Sequence, residues 1–502
     1  MIPTNAPALA PLIFLFAALI IPLAAFKVRR LAWVLAIAAA AAAAAVSVWN
    51  IFRVLESGTF HYRFGGWPPP LGIEYVLDPL SAFITAVINL TALVVLVHSH
   101  LTVAAELPER KHVPYYALVM LMMSGFNGIV LTGDFFNLYV FLEIASLALY
   151  GLIAVGDRKS PVAAFRYLVI GMVGGGFYLL GVGFLYINSG SLNMADLKAI
   201  LPAVGAGPEI IVALCFMVLG FGIKMALFPL HGWLPDAYTY APTATSSLMA
   251  PIGTKIGAYG LLRVLFFVFG VNFVTRTVPL AQVVSWLAAA GILYGSIMAM
   301  AQDELKRMLA FSSIAQVGYI GLGIGLANSL GLLGAVLHVL NHGLMKACLF
   351  LVAGNFRLRL GHSRIRALDS GARRRMPWTS AAFTLAALSM IGLPPTVGFF
   401  SKWYLALGTI RNRSWVFLAV ILASSLLNAV YFFRVIERLY LRPALRDNEG
   451  REAEGRTEAA PSMLLPTLVL AASLIVIGLL NAVIVNGLLV RFLPPGLEIV
   501  FP

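Results

Sequence analysis

The chain is short of charge. Asp, Glu, Lys and Arg make up 11% of it, against about 25% in soluble globular domains. Acid is scarcest: 21 Asp and Glu stand against 35 Lys and Arg. Cysteine is nearly absent. Cys215 and Cys348 both lie in apolar runs. Two thiols alone cannot build a zinc or iron–sulfur site, and no disulfide is expected. The opening stretch MIPTNAPALAPLIF has no basic segment, so no cleavable signal peptide is expected. A glycine-rich run at 171–183 (GMVGGGFYLLGVG) lacks the Lys-Ser/Thr end of a phosphate loop. Its Gly171 and Gly175 fit close helix packing instead.

What remains is hydrophobic: 60% of the residues, with a mean hydropathy of +0.91. A spanning helix needs about 20 mostly apolar residues. Fourteen such segments are expected, near 8–26, 31–52, 79–101, 113–132, 135–154, 161–186, 209–229 (continuing brokenly to 240), 243–268, 280–300, 307–327, 330–354, 377–408, 414–437 and 463–490. The alanines Ala38–Ala45 make a smooth packing surface. The polar, Gly/Pro-rich stretch 53–78 reads as an exposed hairpin or loop.

Lys and Arg in the loops after odd-numbered segments outnumber those opposite about threefold. The bias puts those loops in the cytoplasm and both termini outside. It also accounts for the net charge of +14 without nucleic acid. The run Arg446–Glu458 (RDNEGREAEGRTE) reads as a mobile, solvated cytoplasmic loop.

Two segments break at membrane depth. The seventh carries Lys224 and stops at Pro229; the twelfth breaks at Pro394 and Pro395, just before Lys402. Broken helices at corresponding places mark inverted repeats. The expected fold is therefore an all-α polytopic membrane protein of about fourteen transmembrane helices. It has two inverted five-helix repeats, with helices 7 and 12 broken. The expected units are 1–112 (helices 1–3 with the hairpin), 113–268 and 280–440 (the repeats), and 441–502 (a cytoplasmic loop and helix 14).

Ionisable groups inside spans cost at least ~2.5 kcal/mol each, and normally face partners or water. Here they are Glu143, Lys224, Lys255, Lys346 and Lys402, joined by His338 and His342. Glu143 is the natural partner of Lys224. A lysine near water inside a membrane takes up and releases protons. His338, His342 and Lys346 recur at i, i+4 and i+8, on one helical face, which suits a hydrated proton path. A static ion pair, snorkelling lysines and a hydrogen-bonded interior histidine are the plainer readings of each group taken alone. The two histidines have a metal-ligand spacing but no evident third ligand, so no metal is expected.

At these residues the chain resembles a known family, the antiporter-like subunits shared by Mrp-type Na+/H+ antiporters, respiratory complex I and membrane-bound hydrogenases. The likeness rests on DFFNLYVFLE (134–143), GIKMALFPLHGWLPDAYTYAPTATSSLMAPIGTKIGAYGLLR (222–263), DELKRMLAFSSIAQVGYI (303–320) and LNHGLMKACLFLVAG (340–354), and more weakly on GLPPTVGFFSKW (392–403). FNLYVFLEI and the length look most like the D-type member of the Mrp antiporters. The resemblance implies that Glu143 and Lys224 form the pair between helices 5 and 7. It places Lys255 at the junction of two half-channels, with His338, His342 and Lys346 as central groups of helix 11 and Lys402 as the terminal group of helix 12. It implies a proton-translocating subunit, without a catalytic site or cofactor, in a multi-subunit complex of the cell inner (plasma) membrane. Its partners would be other membrane subunits, lipid, protons and Na+. A redox-driven complex is the alternative.

Overall fold

The computed structural model describes residues 5–157, 159–444 and 457–497. Its spanning helices are α1 (Ala6–Ala24), α2 (Arg30–Ser57), α3 (Pro79–Glu106), α4 (Glu109–Leu131), α5 (Phe135–Ala154), α6 (Ser160–Ser189), α7 (Pro208–Met225, with a second piece Leu234–Tyr240), α8 (Thr243–Phe269), α9 (Leu280–Met300), α10 (Leu305–Gly325), α11 (Ser329–Leu360), α12 (Pro377–Ile391 and Val397–Arg411), α13 (Trp415–Leu441) and α14 (Pro461–Leu479). Thirteen are long and apolar enough to cross a membrane. The fourteenth, α12, is two pieces of 15 residues each. The expected count and both breaks are present.

Several expected limits shift. The first piece of α7 stops at Met225 rather than 229, because Ala226 turns left-handed at φ 60° before Pro229 is reached. The last span ends at Leu479 rather than 490, and two short turns follow, Asn481–Gly487 and Leu489–Phe492. A further short helix, Met194–Val204, fills the stretch expected as loop. Its start is capped by the Asn193 side chain, which accepts from Ala195 N and Asp196 N. Residues 446–456 of the expected mobile loop lie outside the described residues.

The stretch 53–78 holds an antiparallel hairpin, β1 (Phe60–Arg63) on β2 (Glu74–Leu77). Glu74 fastens it: its side chain is buried, accepts from Asn193 at 2.9 Å and meets His61 at 3.1 Å.

Polar links tie the helix ends into two faces. On one, Arg29 meets Glu109, Arg166 and Arg307 share Asp236, and Arg434 donates to Met300 O. On the other, Arg263 grips Asp78, Asn328 donates to Asn412, and Arg411 donates to Ser329. Helix α4 starts at the first face, whereas α9 ends there at Met300. The five helices from α4 and the five from α9 therefore run oppositely, each with its broken helix fourth. The core is unequal. Every residue of the most apolar window of α10 is buried, and nearly all of those in α11 and α8, while in α1, α2 and α13 fewer than half are. Charge carried on α8 or α11 is thus sealed from lipid.

Asp78 closes the end of α3. It accepts from Ser81 N at 2.8 Å, and its two oxygens take the Arg263 guanidinium at 2.5 and 2.6 Å. Burial opposes its charge, yet Arg263 and the Ser81 donors outweigh burial and hold the carboxyl below its ordinary range. A depressed carboxylate stabilises the fold above its unfolded pKa and loses that contribution as the pH falls through the folded value. Asp78→Asn keeps the capping oxygen but removes the charge. It is expected to destabilise the chain by roughly 3–5 kcal/mol, the usual result of orphaning one member of a buried pair, read as a lower thermal midpoint in detergent at pH 7. The gap between variant and parent should narrow as the pH falls below the ordinary carboxylate range; a gap independent of pH would contradict the ion pair.

Candidate functional site

Six of the seven expected groups line up through the buried helices. The row starts at Glu143 on α5. Its Oε1 lies 3.7 Å from Lys224 Nζ, which also donates to Ser146 Oγ at 2.8 Å. Lys224 is nearly buried and Glu143 about one-fifth exposed, 7% and 22%. Room for the carboxylate comes from α6. A Cβ on Gly175 would stand 2.3 Å from Glu143 Oε1, so any larger residue there would make the carboxylate shift. Gly175 is therefore more than the packing residue expected.

Lys224 sits in the last turn of its half-helix, where carbonyls have no helical partner. Trp233 Nε1 takes Ile223 O at 3.0 Å and Leu227 N takes Gly222 O at 2.8 Å. The remaining negative end of the half-helix favours a cation there. A cavity of about 30 Å3 lies between Lys224 and Gly253 and Gly257 of α8. One water needs about 10–15 Å3 of such space.

Lys255 is fully buried on α8. Its ammonium donates to Ala250 O and, at 3.3 Å, to Thr254 Oγ1. The helix widens over Met249–Gly253 around Pro251, which loosens the carbonyl ladder. Among the described residues Lys255 has no carboxylate partner. Gly343 of α11 comes against the same turn, its Cβ position 3.4 Å from Pro251 O.

His342, one residue before it, is wholly buried, and among the described residues neither ring nitrogen has a hydrogen-bond partner. Its ring stacks on His338 at 5.8 Å and 15°. His338 bridges two helices: Nδ1 lies 2.9 Å from Ser401 Oγ, and Nε2 lies 2.9 Å from Gln316 Oε1. Next to Ser401 stands Lys402. Its ammonium takes Met390 O and Ile391 O, each at 2.9 Å, and Ser425 Oγ at 3.2 Å, and lies 5.1 Å above the Tyr319 ring. Lys402 thus caps the carbonyl end of the first half of α12. Tyr319 in turn sits 5.6 Å from His338. Lys346 leaves the line. It turns to α10, donating to Leu309 O at 2.7 Å and to Ser312 Oγ. No group of three or more potential metal ligands occurs among the described residues.

Sequence reading missed the neutral partners, Ser146, Thr254, Gln316, Tyr319 and Ser401, because polar residues at single sites carry no pattern. The expected span from 307 also left Lys306 in the loop before it. The side chain is instead 1% exposed in the first turn of α10 and donates to Ala241 O at 2.7 Å. Helix α10 begins two residues before the expected limit and tucks it under the second piece of α7.

Residues 132–428 match the family model described as NADH:quinone oxidoreductase/Mrp antiporter, TM. A protein of Desulforudis audaxviator named as the N-type subunit of NADH-quinone oxidoreductase is 53% identical over 389 residues, 78% of this chain and 77% of that protein. A protein of Alkalihalophilus pseudofirmus named as the D-type subunit of a Na(+)/H(+) antiporter is 32% identical over 393 residues, 78% of each. A chain in the structure of the membrane-bound sulfane sulfur reductase, an archaeal respiratory membrane complex, superposes with TM-score 0.88 at 28% identity, covering 97% of this chain and 96% of that one. With well over half its length matched, and the helix breaks in place, this chain belongs to the NADH:quinone oxidoreductase/Mrp antiporter transmembrane family.

Proposed function

We propose that the chain carries protons across the plasma membrane as one subunit of a multi-subunit complex. The path runs from Glu143 and Lys224 through Lys255, His342 and His338 to Lys402, with Lys346 as a side branch. One observation carries this reading. Four core lysines are buried, yet only Lys224 has a carboxylate partner among the described residues. The other three rest on carbonyls and hydroxyls, which hold an ammonium without fixing it in a permanent ion pair. Such groups can change charge at low cost to the surrounding packing.

Each residue then has a task. Glu143 looks partly outwards, so an event at its face can move it. When it withdraws, Lys224 loses its counter-charge and hands its proton inwards past Ser146. Lys255 joins the two inverted units, which we place at 113–268 and 280–440. The stacked histidines pass protons between Lys255 and the Ser401–Lys402 end. The basic face is taken as cytoplasmic and both termini as external. The wording of the sequence suggests coupling to Na+ exchange. The 53% identity with a protein named as an oxidoreductase subunit, against 32% for an antiporter subunit, supports electron transfer in partner subunits as the driving force instead.

In vesicles holding the whole complex, Lys224→Ala and Lys402→Ala are each expected to lower proton translocation by ~100-fold, the usual worth of one positioned proton-transfer group. Unchanged flux in both variants would sink the row as a path. Gly175→Ala should push Glu143 off Lys224 and also depress flux, whereas Gly176→Ala, with nothing within 4 Å of its Cβ, should not. Equal effects from the two glycines would remove Glu143 from the mechanism. Proton movement that follows an Na+ gradient marks the antiporter; movement that needs an electron donor marks the redox complex.

A further inference from the structure

At the basic face, the α1–α2 turn and the facing ends of α3 and α4 enclose a cavity of about 630 Å3. It lies outside the buried row. Lys27, Arg29 and Arg30 line it together with His100 and His112. The one carboxylate in its wall, Glu109, is already taken by Arg29 at 2.6 Å. Among the described residues Lys27 and Arg30 form no ion pair, and both are exposed. The cavity therefore keeps an unbalanced positive charge.

Its inner wall is fixed and aromatic. Trp33 Nε1 donates to Leu96 O at 2.9 Å, and the indole packs on the His100 ring at 4.6 Å. Tryptophan in this setting marks the headgroup level of a bilayer. Below the cavity, α1 and the turn after it present a bare apolar ridge: Phe16, Leu19, Leu23 and Phe26 are 56%, 60%, 81% and 83% exposed. Spacing of three or four residues keeps Phe16, Leu19 and Leu23 on one helical face, and Phe26 continues the ridge in the turn that follows. Phe26 belongs to both features, since it ends the ridge and lines the cavity.

A cationic cradle continuous with an apolar ridge has the form of an amphiphile. A solvated crevice would need no ridge, and a free anion would make no use of one. We propose that this cavity binds the phosphodiester headgroup of an anionic phospholipid, with Lys27 and Arg30 on the phosphate and an acyl chain along the ridge that runs from Phe16 on α1 to Phe26 in the turn after it. The Arg30 fork offers paired N–H donors to phosphate oxygens, and Lys27 adds a point charge. Basic pockets between spanning helices serve anionic headgroups in this way.

The test is native mass spectrometry of the detergent-purified, delipidated complex, titrated with phosphatidylglycerol or phosphatidylcholine in mixed micelles. Phosphatidylglycerol is expected to bind preferentially to this subunit. K27A/R30A should weaken it about thirty-fold, from about 1 kcal/mol per cation near an anionic headgroup. R110A/R359A, on the same face but outside the cavity, should leave it unchanged. Both pairs are at the surface, so the fold should persist, and an unaltered thermal midpoint checks this. Equal affinity for the two lipids, or an equal loss in the two double variants, would overturn the proposal. So would full competition by inorganic phosphate at matching concentration, which would make the site one for a free anion. Cross-linking of Lys27 to a neighbouring subunit with no lipid retained would make the face a subunit contact and overturn it too.

Discussion

A buried ammonium needs acceptors, and for four of the five buried lysines here peptide carbonyls supply them. Lys255 takes one from a widened turn of its own helix. Lys402 takes two from the severed end of α12, Lys346 takes one from α10, and Lys306 takes one from the end of the second piece of α7. Regular helices consume their carbonyls internally, so Lys255, Lys402 and Lys306 draw on a helix that widens or stops nearby, while Lys346 adds a second bond to a carbonyl within α10. The breaks at Pro229 and Pro394–Pro395 are part of the same requirement. Backbone left open at membrane depth persists only when protein or water satisfies it, and here side chains do much of that work. Trp233 serves α7 and Lys402 serves α12.

Much of the fold was legible because membranes impose long apolar runs and tolerate few interruptions. Length gave the spans, proline gave the breaks, and lone charges gave the row. Boundaries were less legible. Hydropathy does not register a left-handed residue such as Ala226, nor a capped short helix such as Met194–Val204. The site divides in the same way. Charged members stood out against an apolar background, whereas Ser401 and Gln316 did not, since a hydroxyl or amide is cheap enough to occur anywhere. Lys306 misled for the opposite reason. A lysine beside an arginine near a helix start has the local appearance of a loop cation, and only the packing of α10 beneath α7 reveals that it is enclosed.

The glycines show how closely the polar groups are fitted. Gly175 is bare where the Glu143 carboxylate passes, and Gly398 is bare where Ser389 O approaches a Cβ position to 1.8 Å. Neither has a positive φ. Their value is the missing methyl, not backbone freedom. In both repeats a small residue admits a polar atom that a larger one would shut out.

The stacking of His342 on His338 has one further consequence. Two parallel rings 5.8 Å apart, closed off from water, repel strongly if both carry a proton, because little solvent stands between the charges. Occupancy of one ring therefore expels it from the other. On the proposed path, a proton arriving from the Lys255 side would dislodge the one ahead, so the pair would work as a turnstile that admits a single passenger at a time.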